Sequence, residues 1–442
     1  MLVFDRGTLL VRLPDGEARS LPDTRWDARV EAWRAPAWRA PALRDRLGLP
    51  APSPHEVPPP FPAPDLRPYQ EAAVLAWEVA GRRGRVVLPT GAGKTRTAIA
   101  AIARSGLEAI VLAPTRVLVE QWRAAFAQAG CSDVGVFADG ERRPAPIVVA
   151  TYAAARRHME WLGDRFRLLV VDEVHHFGAG GDEPLEMTTA PSRLGLTATP
   201  SEDPERDRRL DELVGPVVYR ATVEELTGSF LAPLALLRIT VDLDAGERRA
   251  YDHEVSVFRP FVRAFFDAAP GASWPDFVLF ASRSEEGRRA LAAWRRSREM
   301  LRLPRSRRAV LGGLLLKHAN ARVLIFAPDN ETAYAVASAE LVQPITCEIG
   351  PAERRKALDA FARGEIRALV SARVLDEGVD VPAADVAVIL GGQGGNRQYV
   401  QRVGRVLRPA EGKRALVYEV VVRGTFEERK VEVRRQALGH AC

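Results

Sequence analysis

The sequence predicts an α/β protein in which two tandem domains each contain a parallel sheet. From Asp65 onward, short apolar runs rich in β-branched residues alternate with helix-forming stretches, a pattern typical of strands and helices that form parallel sheets. The runs show no polar alternation, so we expect the strands to be buried on both faces. The alternation stops after Thr197 and resumes at Arg322, and this interruption indicates two separate sheets.

The predicted strands fall into two groups that define the two domains. The first domain, residues 65–225, contains Val86–Leu88, Ala109–Ala113, Ile147–Ala150, Leu168–Val171 and Leu194–Thr197. The second domain, residues 226–442, contains Arg322–Phe326, Ala368–Ser371 and Val386–Leu390.

Composition narrows the class of protein without identifying it. The chain has 442 residues, of which 47% are hydrophobic and 27% charged, so it can form two or three domains with substantial cores. It has no run of about 18 apolar residues and no signal-peptide pattern at its start, so we expect a cytoplasmic protein that does not enter a membrane. The three cysteines form neither a disulfide nor a metal-binding pattern. A net charge of +6 permits nucleic-acid binding but does not establish it.

A small α+β module is predicted at residues 1–49, ahead of the first domain. Trp26, Trp33 and Trp38 lie among arginines, a combination that suits stacking on bases and neutralising phosphates. Alternatively, the module needs these large aromatic residues for its own core. Residues 50–64 contain eight prolines and predict an extended linker that makes the module separable.

The stretch Leu88–Thr95 has the composition of a phosphate-binding loop. It follows an apolar strand and leads into a helix-forming sequence, which is the context such a loop requires. Glycines allow backbone N–H groups to approach phosphates, the lysine neutralises charge, and the last threonine offers a hydroxyl to Mg²⁺. The residues expected to contact the nucleotide are Thr90, Gly91, Ala92, Gly93, Lys94 and Thr95. Leu88 stands where the usual pattern has a further glycine, so a ligand-free turn is the alternative for this stretch alone.

Two adjacent acids end the fourth predicted strand, and the carboxyl ends of parallel strands form the edge where ligands bind. We expect Asp172 to hold Mg²⁺, with Thr95 as its second protein ligand. Glu173 is expected to orient and deprotonate the attacking water. His175 is interpreted as a link between the nucleotide site and Thr197 and Thr199. The alternative is that His175 and the neighbouring histidine are metal ligands.

Two arginine-rich segments follow in the second half of the chain. Residues 251–305 are first aromatic and then basic, and nine arginines lie between residues 288 and 308 beside one acid. We expect Arg295 and Arg296 to contact nucleic acid. The alternatives are that these arginines pair with acids elsewhere on the fold or form a solvated helical face. Arg405 and Arg408 would share one helix face and stabilise charge on the γ-phosphate from across a domain cleft, unless they are ordinary surface charges.

The order of these motifs resembles that of superfamily 2 helicases. The resemblance rests on Arg67–Gln70, the phosphate loop, Ala113–Arg116, Ala150–Tyr152, Asp172–His175, Thr197–Thr199, Leu324–Phe326, Gly378–Asp380 and Gln401–Arg408. It implies two RecA-like domains with ATP between them and nucleic acid across the top. It further implies that Arg67 and Gln70 contact adenine, that Gly378 and Asp380 contact the nucleotide, and that Gln401 contacts the γ-phosphate. Thr115, Arg116, Thr151, Ser371 and Arg373 would contact the nucleic-acid backbone.

A narrower resemblance is to the XPB (xeroderma pigmentosum group B) helicases. It rests on Asp172–His175, Gly394–Arg397, Gly215–Tyr219 with Glu224–Leu226, and, in the first module, Phe4–Leu10, Trp26–Asp27 and Ala32–Pro36. The resemblance implies that the module is a damage-recognition domain and that residues 251–305 are a thumb-like insertion. One departure is Ser201–Asp203, where the family has Arg-Glu-Asp. The arginine that helps those enzymes separate strands is therefore missing here.

Together these features predict a nucleic-acid-dependent ATPase that uses ATP and Mg²⁺. We expect a DNA helicase or double-strand translocase of 3'–5' polarity in DNA repair, working as a monomer on duplex, forked or damaged DNA, with a nuclease as a further partner. An RNA helicase and a restriction-type motor are alternatives in the same superfamily. An alternative from another class is a nucleotide-gated DNA clamp that recruits a nuclease and unwinds little.

Overall fold

The computed structural model divides the chain into two compact units, with the boundary between Leu226 and Thr227. It describes all residues except 14–16, 19, 51–60, 202, 373–383, 392–394, 396–398, 400–401, 405, 407–414 and 438–442. Among the helices that the structure describes, none combines the length and the apolar character that a membrane crossing requires.

The first unit begins with a four-stranded antiparallel sheet. Its strands are β1 (Leu2–Asp5), β2 (Thr8–Val11), β3 (Arg25–Asp27) and β4 (Ala32–Pro36), in the order β1-β2-β4-β3. A 3₁₀ turn at Ala37–Arg39 and helix α1 (Ala40–Arg46) follow. Leu9, Val11 and Leu43 form the centre of a small core.

The larger sheet of the first unit has eight strands. They are β5 (Arg83–Val87), β6 (Ala109–Ala113), β7 (Val134–Ala138), β8 (Glu141–Arg143), β9 (Ile147–Thr151), β10 (Leu168–Asp172), β11 (Ser192–Thr197) and β12 (Val217–Arg220). Their order is β12-β5-β11-β10-β6-β9-β7-β8. All neighbours are parallel except the β7–β8 pair, so most strand ends that carry the sequence motifs lie at one edge.

Helices connect these strands, as parallel pairing requires. They are α2 (Pro68–Val79), α3 (Lys94–Ser105), α4 (Arg116–Gln128), α5 (Tyr152–Leu162), α6 (Glu183–Glu186), α7 (Pro204–Leu213) and α8 (Val223–Leu226). Thr115 and Thr151 cap α4 and α5, accepting hydrogen bonds from Leu118 N and Ala154 N. Such caps satisfy backbone donors that the first turn leaves unpaired.

The N-terminal sheet packs on the first parallel domain through Trp38. This side chain is 8% exposed and belongs to the apolar cluster that includes Leu185, Leu210 and Phe177 of the larger domain. Trp38 is therefore buried in the core of the parallel domain and is not available to stack on bases. Trp33 packs against the module's own core, as the alternative interpretation expected. Trp26, in contrast, is 51% exposed.

The second unit contains a six-stranded sheet in which every pair is parallel. Its strands are β13 (Leu234–Val241), β14 (Val323–Phe326), β15 (Gln343–Ile345), β16 (Ala368–Ser371), β17 (Val386–Ile389) and β18 (Ala415–Val422), in the order β13-β18-β17-β14-β16-β15. Its helices are α9 (Ala245–Ala268), α10 (Trp274–Ser282), α11 (Glu285–Met300), α12 (Arg305–Lys317), α13 (Asn330–Glu340), α14 (Pro351–Arg363) and α15 (Phe426–Ala437).

The segment expected to be an insertion, residues 251–305, is helical and starts earlier than predicted, since α9 begins at Ala245. Its aromatic residues form a separate small core around Phe277, with Phe261, Phe265 and Phe266 packed against it. These aromatic side chains therefore stabilise the helices themselves.

The predicted α/β class with two parallel-sheet domains is confirmed, and each predicted strand is present with small differences at its ends. Within these two domains, six of the described strands were not predicted, namely β7, β8, β12, β13, β15 and β18. The apolar pattern is interrupted by charged residues in β8, by a proline in β15 and by a glycine in β7. Strand β12 is only partly buried, and it also lacks a long apolar run.

Candidate functional site

The candidate site lies at the carboxyl edge of the sheet in the first unit. The phosphate-loop sequence follows β5, the two acids end β10, and Thr197 ends β11. Leu88 N donates to Thr197 O at 3.0 Å, so the start of the loop is tied to the end of the neighbouring strand. Parallel pairing thus brings together residues that are far apart in sequence.

Residues 90–93 belong to the turn between β5 and α3, and Lys94 and Thr95 begin that helix. Gly91 and Gly93 adopt φ values of +86° and +81°, in the left-handed region that favours glycine. Lys94 Nζ lies 3.5 Å from Leu88 O and 3.8 Å from Glu173 Oε1. The lysine and the predicted general base therefore face each other, as a site for a bound phosphate and an attacking water requires.

Gln70 and Tyr69 hold this turn from α2. Gln70 Nε2 and Tyr69 OH each donate to Ala92 O at 2.8 Å, and Gln70 Oε1 accepts from Arg67 N at 2.9 Å. A Cβ at Gly93 would lie 2.4 Å from Gln70 Nε2, which shows how closely α2 approaches the loop. Contact with an adenine base stays a prediction for Arg67 and Gln70.

A cavity of about 680 Å³ opens beside the loop. It is lined by Pro62–Asp65, Gly93, Thr95, Arg96 and the end of α4, and Arg96 Nε donates to Asp65 O at 2.6 Å. Its volume lies in the range of small-molecule sites. The segment before α2 thus forms one wall of a pocket next to the phosphate loop.

Asp172 is a buried carboxylate with a specific donor. Trp122 Nε1, from α4, donates to Asp172 Oδ2 at 2.9 Å. Burial, with Glu173 beside it, raises the pKa of Asp172 to about 6, because the charged form loses hydration and is repelled by a second carboxylate. Sequence reasoning missed Trp122, since a tryptophan on an amphipathic helix looks like an ordinary core residue.

Glu173 adopts a left-handed backbone conformation, with φ of +51°. Such a conformation is costly for a residue other than glycine and persists only where the surroundings hold it. Tyr152 supports the turn by donating to the carbonyl oxygens of Asp172 and Glu173. The Glu173 carboxylate oxygen Oε2 lies 3.3 Å from His175 Nδ1.

His175 connects the acidic turn with the end of β11. Its ring Nδ1 lies 2.9 Å from Thr197 Oγ1, and Thr197 Oγ1 in turn donates to Thr199 O at 2.8 Å. The structure therefore brings together the three residues expected to couple the nucleotide site to its surroundings. The coupling itself stays a prediction.

Three of the residues predicted to contact nucleic acid share the same edge. Thr115 and Thr151 are the caps of α4 and α5, and Arg116 forms ion pairs with Glu120 and Glu141 at 2.7 and 2.8 Å. Ser371, in the second unit, is fully buried. Its hydroxyl does not reach the surface in this structure, in keeping with its position at the end of a buried strand.

Several predicted site residues lie outside the described residues. These are Arg373, Gly378, Asp380, Gln401, Arg405 and Arg408.

Most arginines of the basic segment have partners, which favours the alternative reading for them. Arg296 binds both carboxylate oxygens of Glu254 at 2.8 and 2.9 Å, so its guanidinium already serves the packing of α9 against α11. Arg302 pairs with Asp329, Arg305 with Asp244, Arg307 with Glu427 and Arg308 with Glu340. Arg298 lies 3.2 Å from the ring centre of Phe426. Arg295 is exposed on α11 and stays the stronger candidate for a nucleic-acid contact.

Three family descriptions match separate parts of the chain. Residues 2–48 match the xeroderma pigmentosum group B helicase damage recognition domain. Residues 63–202 match the type III restriction enzyme res subunit, and residues 306–410 match the helicase conserved C-terminal domain.

Known proteins show the same similarity over most of the chain. The chain is 36% identical over 376 residues to DNA 3'-5' translocase XPB2 of Sulfurisphaera tokodaii, covering 84% of this chain and 85% of that protein. It is 28% identical over 386 residues to DNA 3'-5' helicase XPB of Mycobacterium tuberculosis, covering 82% of this chain and 61% of that protein. The chain spans 53 to 61% of the length of four longer relatives, one of which is this Mycobacterium tuberculosis protein.

Among solved structures, the Hef helicase domain of Pyrococcus furiosus resembles the fold with a TM-score of 0.52 and 18% identity. The match covers 87% of this chain and 98% of that chain. At this identity the likeness shows the fold alone, that of tandem RecA-like domains.

Proposed function

The chain belongs to the XPB family of superfamily 2 helicases, and on that premise we propose that it hydrolyses ATP to move along or unwind DNA. The relatives are named 3'-5' translocases and helicases, and we extend that polarity to this chain. A role in DNA repair, with damaged, forked or duplex DNA as the substrate, is part of the proposal. We also propose that the motor is a monomer that works with a nuclease.

One observation carries the ATPase proposal: Lys94, Asp172 and Glu173 meet at one edge of the sheet. Lys94 Nζ lies 3.8 Å from Glu173 Oε1, and the buried carboxylate of Asp172 comes from the same turn. This arrangement provides a cation for phosphate oxygens, a carboxylate for a divalent metal and a base for water. A Gly-rich turn without a ligand would not need the two acids beside it.

The donor set fits Mg²⁺, which prefers oxygen ligands and one or two carboxylates together with substrate phosphates. The Thr95 hydroxyl and the Asp172 carboxylate would hold it. A divalent cation would also compensate the buried charge of Asp172, whose pKa is raised by burial and by Glu173. When bound, the metal supplies positive charge to the β- and γ-phosphate oxygens.

The residues of this chain have distinct parts in the proposed reaction. Lys94 neutralises phosphate charge, and the N-terminus of α3 adds backbone donors. Glu173 orients the attacking water and accepts its proton. Gln401, Arg405 and Arg408 remain proposed contacts of the γ-phosphate, on the strength of the family motif alone.

The proposal favours translocation over strong strand separation. Ser201 stands where the family has an arginine that helps to separate strands, while Asp203 caps α7 by accepting from Glu205 N and Arg206 N. The acidic residue thus has a structural task in this chain. We therefore expect movement on duplex DNA to exceed unwinding of forked DNA.

The ATPase proposal is tested by Glu173→Gln, with Glu160→Gln as the matched control. Glu160 is exposed on α5, away from the acidic turn. We expect Glu173→Gln to bind ATP normally and to hydrolyse it at least about a hundredfold more slowly, which is the usual scale for loss of a general base. The control should hydrolyse ATP at the wild-type rate. Equal loss of binding and hydrolysis would instead make Glu173 a structural residue.

A further inference from the structure

We propose that helix α7 connects the N-terminal module to the acidic turn of the nucleotide site, and that Arg206 on this helix is a positioning residue for that turn. The inference rests on the proposed ATP hydrolysis. It assigns a task to Trp38, which the sequence singled out and the proposed chemistry does not use.

Arg206 holds the backbone that follows Glu173. Its Nε donates to Phe177 O at 2.8 Å, and a terminal N–H of the same guanidinium donates to His175 O. One planar group thus fixes two carbonyl oxygens of the turn, and hydrogen bonds from a charged donor are the stronger kind. The side chain fixes the segment without touching the reacting atoms.

Gly178 shows how closely α7 approaches this segment. A Cβ at that position would lie 2.8 Å from both Arg206 Cγ and Arg206 O, and Gly178 has φ of +88°. Gly178 N also donates to Asp182 Oδ1 at 2.7 Å, while Asp182 Oδ2 lies 3.8 Å from Arg209 Nε. The turn is therefore attached to α7 at two points, through Arg206 and through Arg209.

The next turn on the same face of this helix contacts the N-terminal module. The Arg209 guanidinium lies 5.6 Å from the ring centre of Trp38, and the Arg39 guanidinium lies 3.9 Å from it. The buried indole belongs to one apolar cluster with Leu210 of α7 and with Val174 and Phe177 of the turn. Closely packed groups of this kind transmit displacements instead of absorbing them.

The strained backbone of Glu173 makes the turn dependent on this support. A left-handed φ of +51° is maintained only where the surroundings fix it, and Arg206 fixes the carbonyl oxygens of His175 and Phe177 in the segment that follows. A displacement of the module that moves Trp38 would shift α7 and, with it, the position of the general base. A nucleic acid that shifts the module on binding would therefore change the rate of ATP hydrolysis.

The first experiment measures ATP hydrolysis without nucleic acid in Arg206→Ala, with Arg208→Ala as the matched control. Arg208 lies on the same helix and is exposed. We expect Arg206→Ala to lower kcat about tenfold or more, since small displacements of a catalytic group are costly. The KM for ATP should change less than about threefold, because Arg206 does not contact the phosphate loop. An unchanged kcat, or an equal loss in Arg208→Ala, would overturn the proposal.

If Arg206→Ala fails to fold, the same measurement is made on Arg206→Lys. Lysine keeps the charge but cannot reach two carbonyl oxygens with one planar group. We expect it to fold and still to lose kcat with little change in KM. A lysine variant with the wild-type kcat would contradict a positioning role.

The second experiment tests the connection to the module by a double-mutant cycle with Trp38→Leu. We expect Trp38→Leu alone to lower kcat, and the double variant with Arg206→Ala to lose little more than Arg206→Ala alone, because both act through α7. Losses in kcat that simply multiply would show that Trp38 and Arg206 act independently. If the unaltered chain did not hydrolyse ATP at all, the proposed function would fail, and that outcome is separable from the comparison of variants.

Discussion

Asp172 illustrates how much of the chemistry depends on a single supporting residue. Its carboxylate is buried, and burial together with Glu173 raises its pKa to about 6. Trp122 opposes that effect, since its indole N–H favours the charged form by donating to Oδ2. If Asp172 holds Mg²⁺ as proposed, this donor would orient the carboxylate toward the metal.

We predict that Trp122→Phe weakens the effect of Mg²⁺ on nucleotide binding by about tenfold, the scale found for supporting residues of metal ligands. The phenyl ring keeps most of the packing against Phe126 but cannot donate to Asp172. The measurement is a nucleotide titration at several Mg²⁺ concentrations and without Mg²⁺. Trp161→Phe is the control, because Trp161 is 43% exposed and does not approach the acidic turn. An unchanged Mg²⁺ dependence in Trp122→Phe would show that the indole only fills space.

At this scale, sequence predicted the candidate reactive residues, which the structure brings together, but not the residues that contact and support them. Lys94, Asp172 and Glu173 are recognisable because loops and acids at strand ends have a characteristic spacing. Trp122, Tyr152 and Arg206 reach the site from other elements, and nothing in the local sequence indicates their partners. Gln70 stays a predicted base contact, but nothing in the sequence indicated that its amide bonds to the phosphate loop and to Arg67.

The N-terminal module provides the clearest lesson at the scale of elements. Its sequence allowed Trp38 either to stack on nucleic acid or to be a core residue. The structure places it in the apolar cluster of the parallel domain, so this one residue anchors the module in the core of that domain, while the module keeps a small core of its own. The proline-rich composition predicted a linker but did not indicate which surface the module packs against.

We predict that Trp38→Ala lowers the free energy of unfolding of the first unit by about 3–5 kcal/mol, as expected for removal of a large buried aromatic side chain. Trp26→Ala should cost less than about 1 kcal/mol, because that side chain is 51% exposed and exposed substitutions have small effects. Denaturant titrations of both variants give the comparison. Equal losses would mean that Trp38 does not join the two cores.

The arginines on and just after helix α11 differ in whether they form ion pairs. Arg302 pairs with Asp329 at 2.8 Å and with Glu331 at 2.7 Å, just beyond the helix. Arg289 and Arg295 are exposed on the helix, and no ion pair involves them within the part of the chain that the structure describes. A count of arginines along the sequence cannot distinguish these two kinds, because their partners lie on other elements.

We predict that Arg289→Gln with Arg295→Gln reduces the log–log salt slope of DNA binding by about 0.7–0.9 for each phosphate contact that is lost. Arg302→Gln should lower the thermal midpoint and leave the slope unchanged, since its charge is neutralised by two acids. Binding is measured at three salt concentrations for each variant. A slope that stays the same in the double variant would exclude these arginines from the DNA contact.

For the whole molecule, the motif order gave the family and the fold because it depends on residue type and spacing, which the sequence states directly. The two parallel sheets followed from apolar runs. Edge strands such as β8 and β15 escaped prediction because charge and proline are tolerated where one side of a strand is free. Which kind of nucleic acid the protein binds depends on surfaces formed by residues of many elements, and local sequence patterns do not predict such surfaces.

The central claim, that this chain is a DNA-dependent ATPase, is tested most directly by one comparison of steady-state ATP hydrolysis rates. The rates are measured without nucleic acid and with single-stranded DNA, duplex DNA, forked DNA and RNA, in the presence of Mg²⁺, with Lys94→Ala as the inactive reference. We expect duplex or forked DNA to raise the rate most, RNA to raise it little, and Lys94→Ala to show no hydrolysis under any condition. A rate that no nucleic acid changes, or that RNA raises most, would contradict the account.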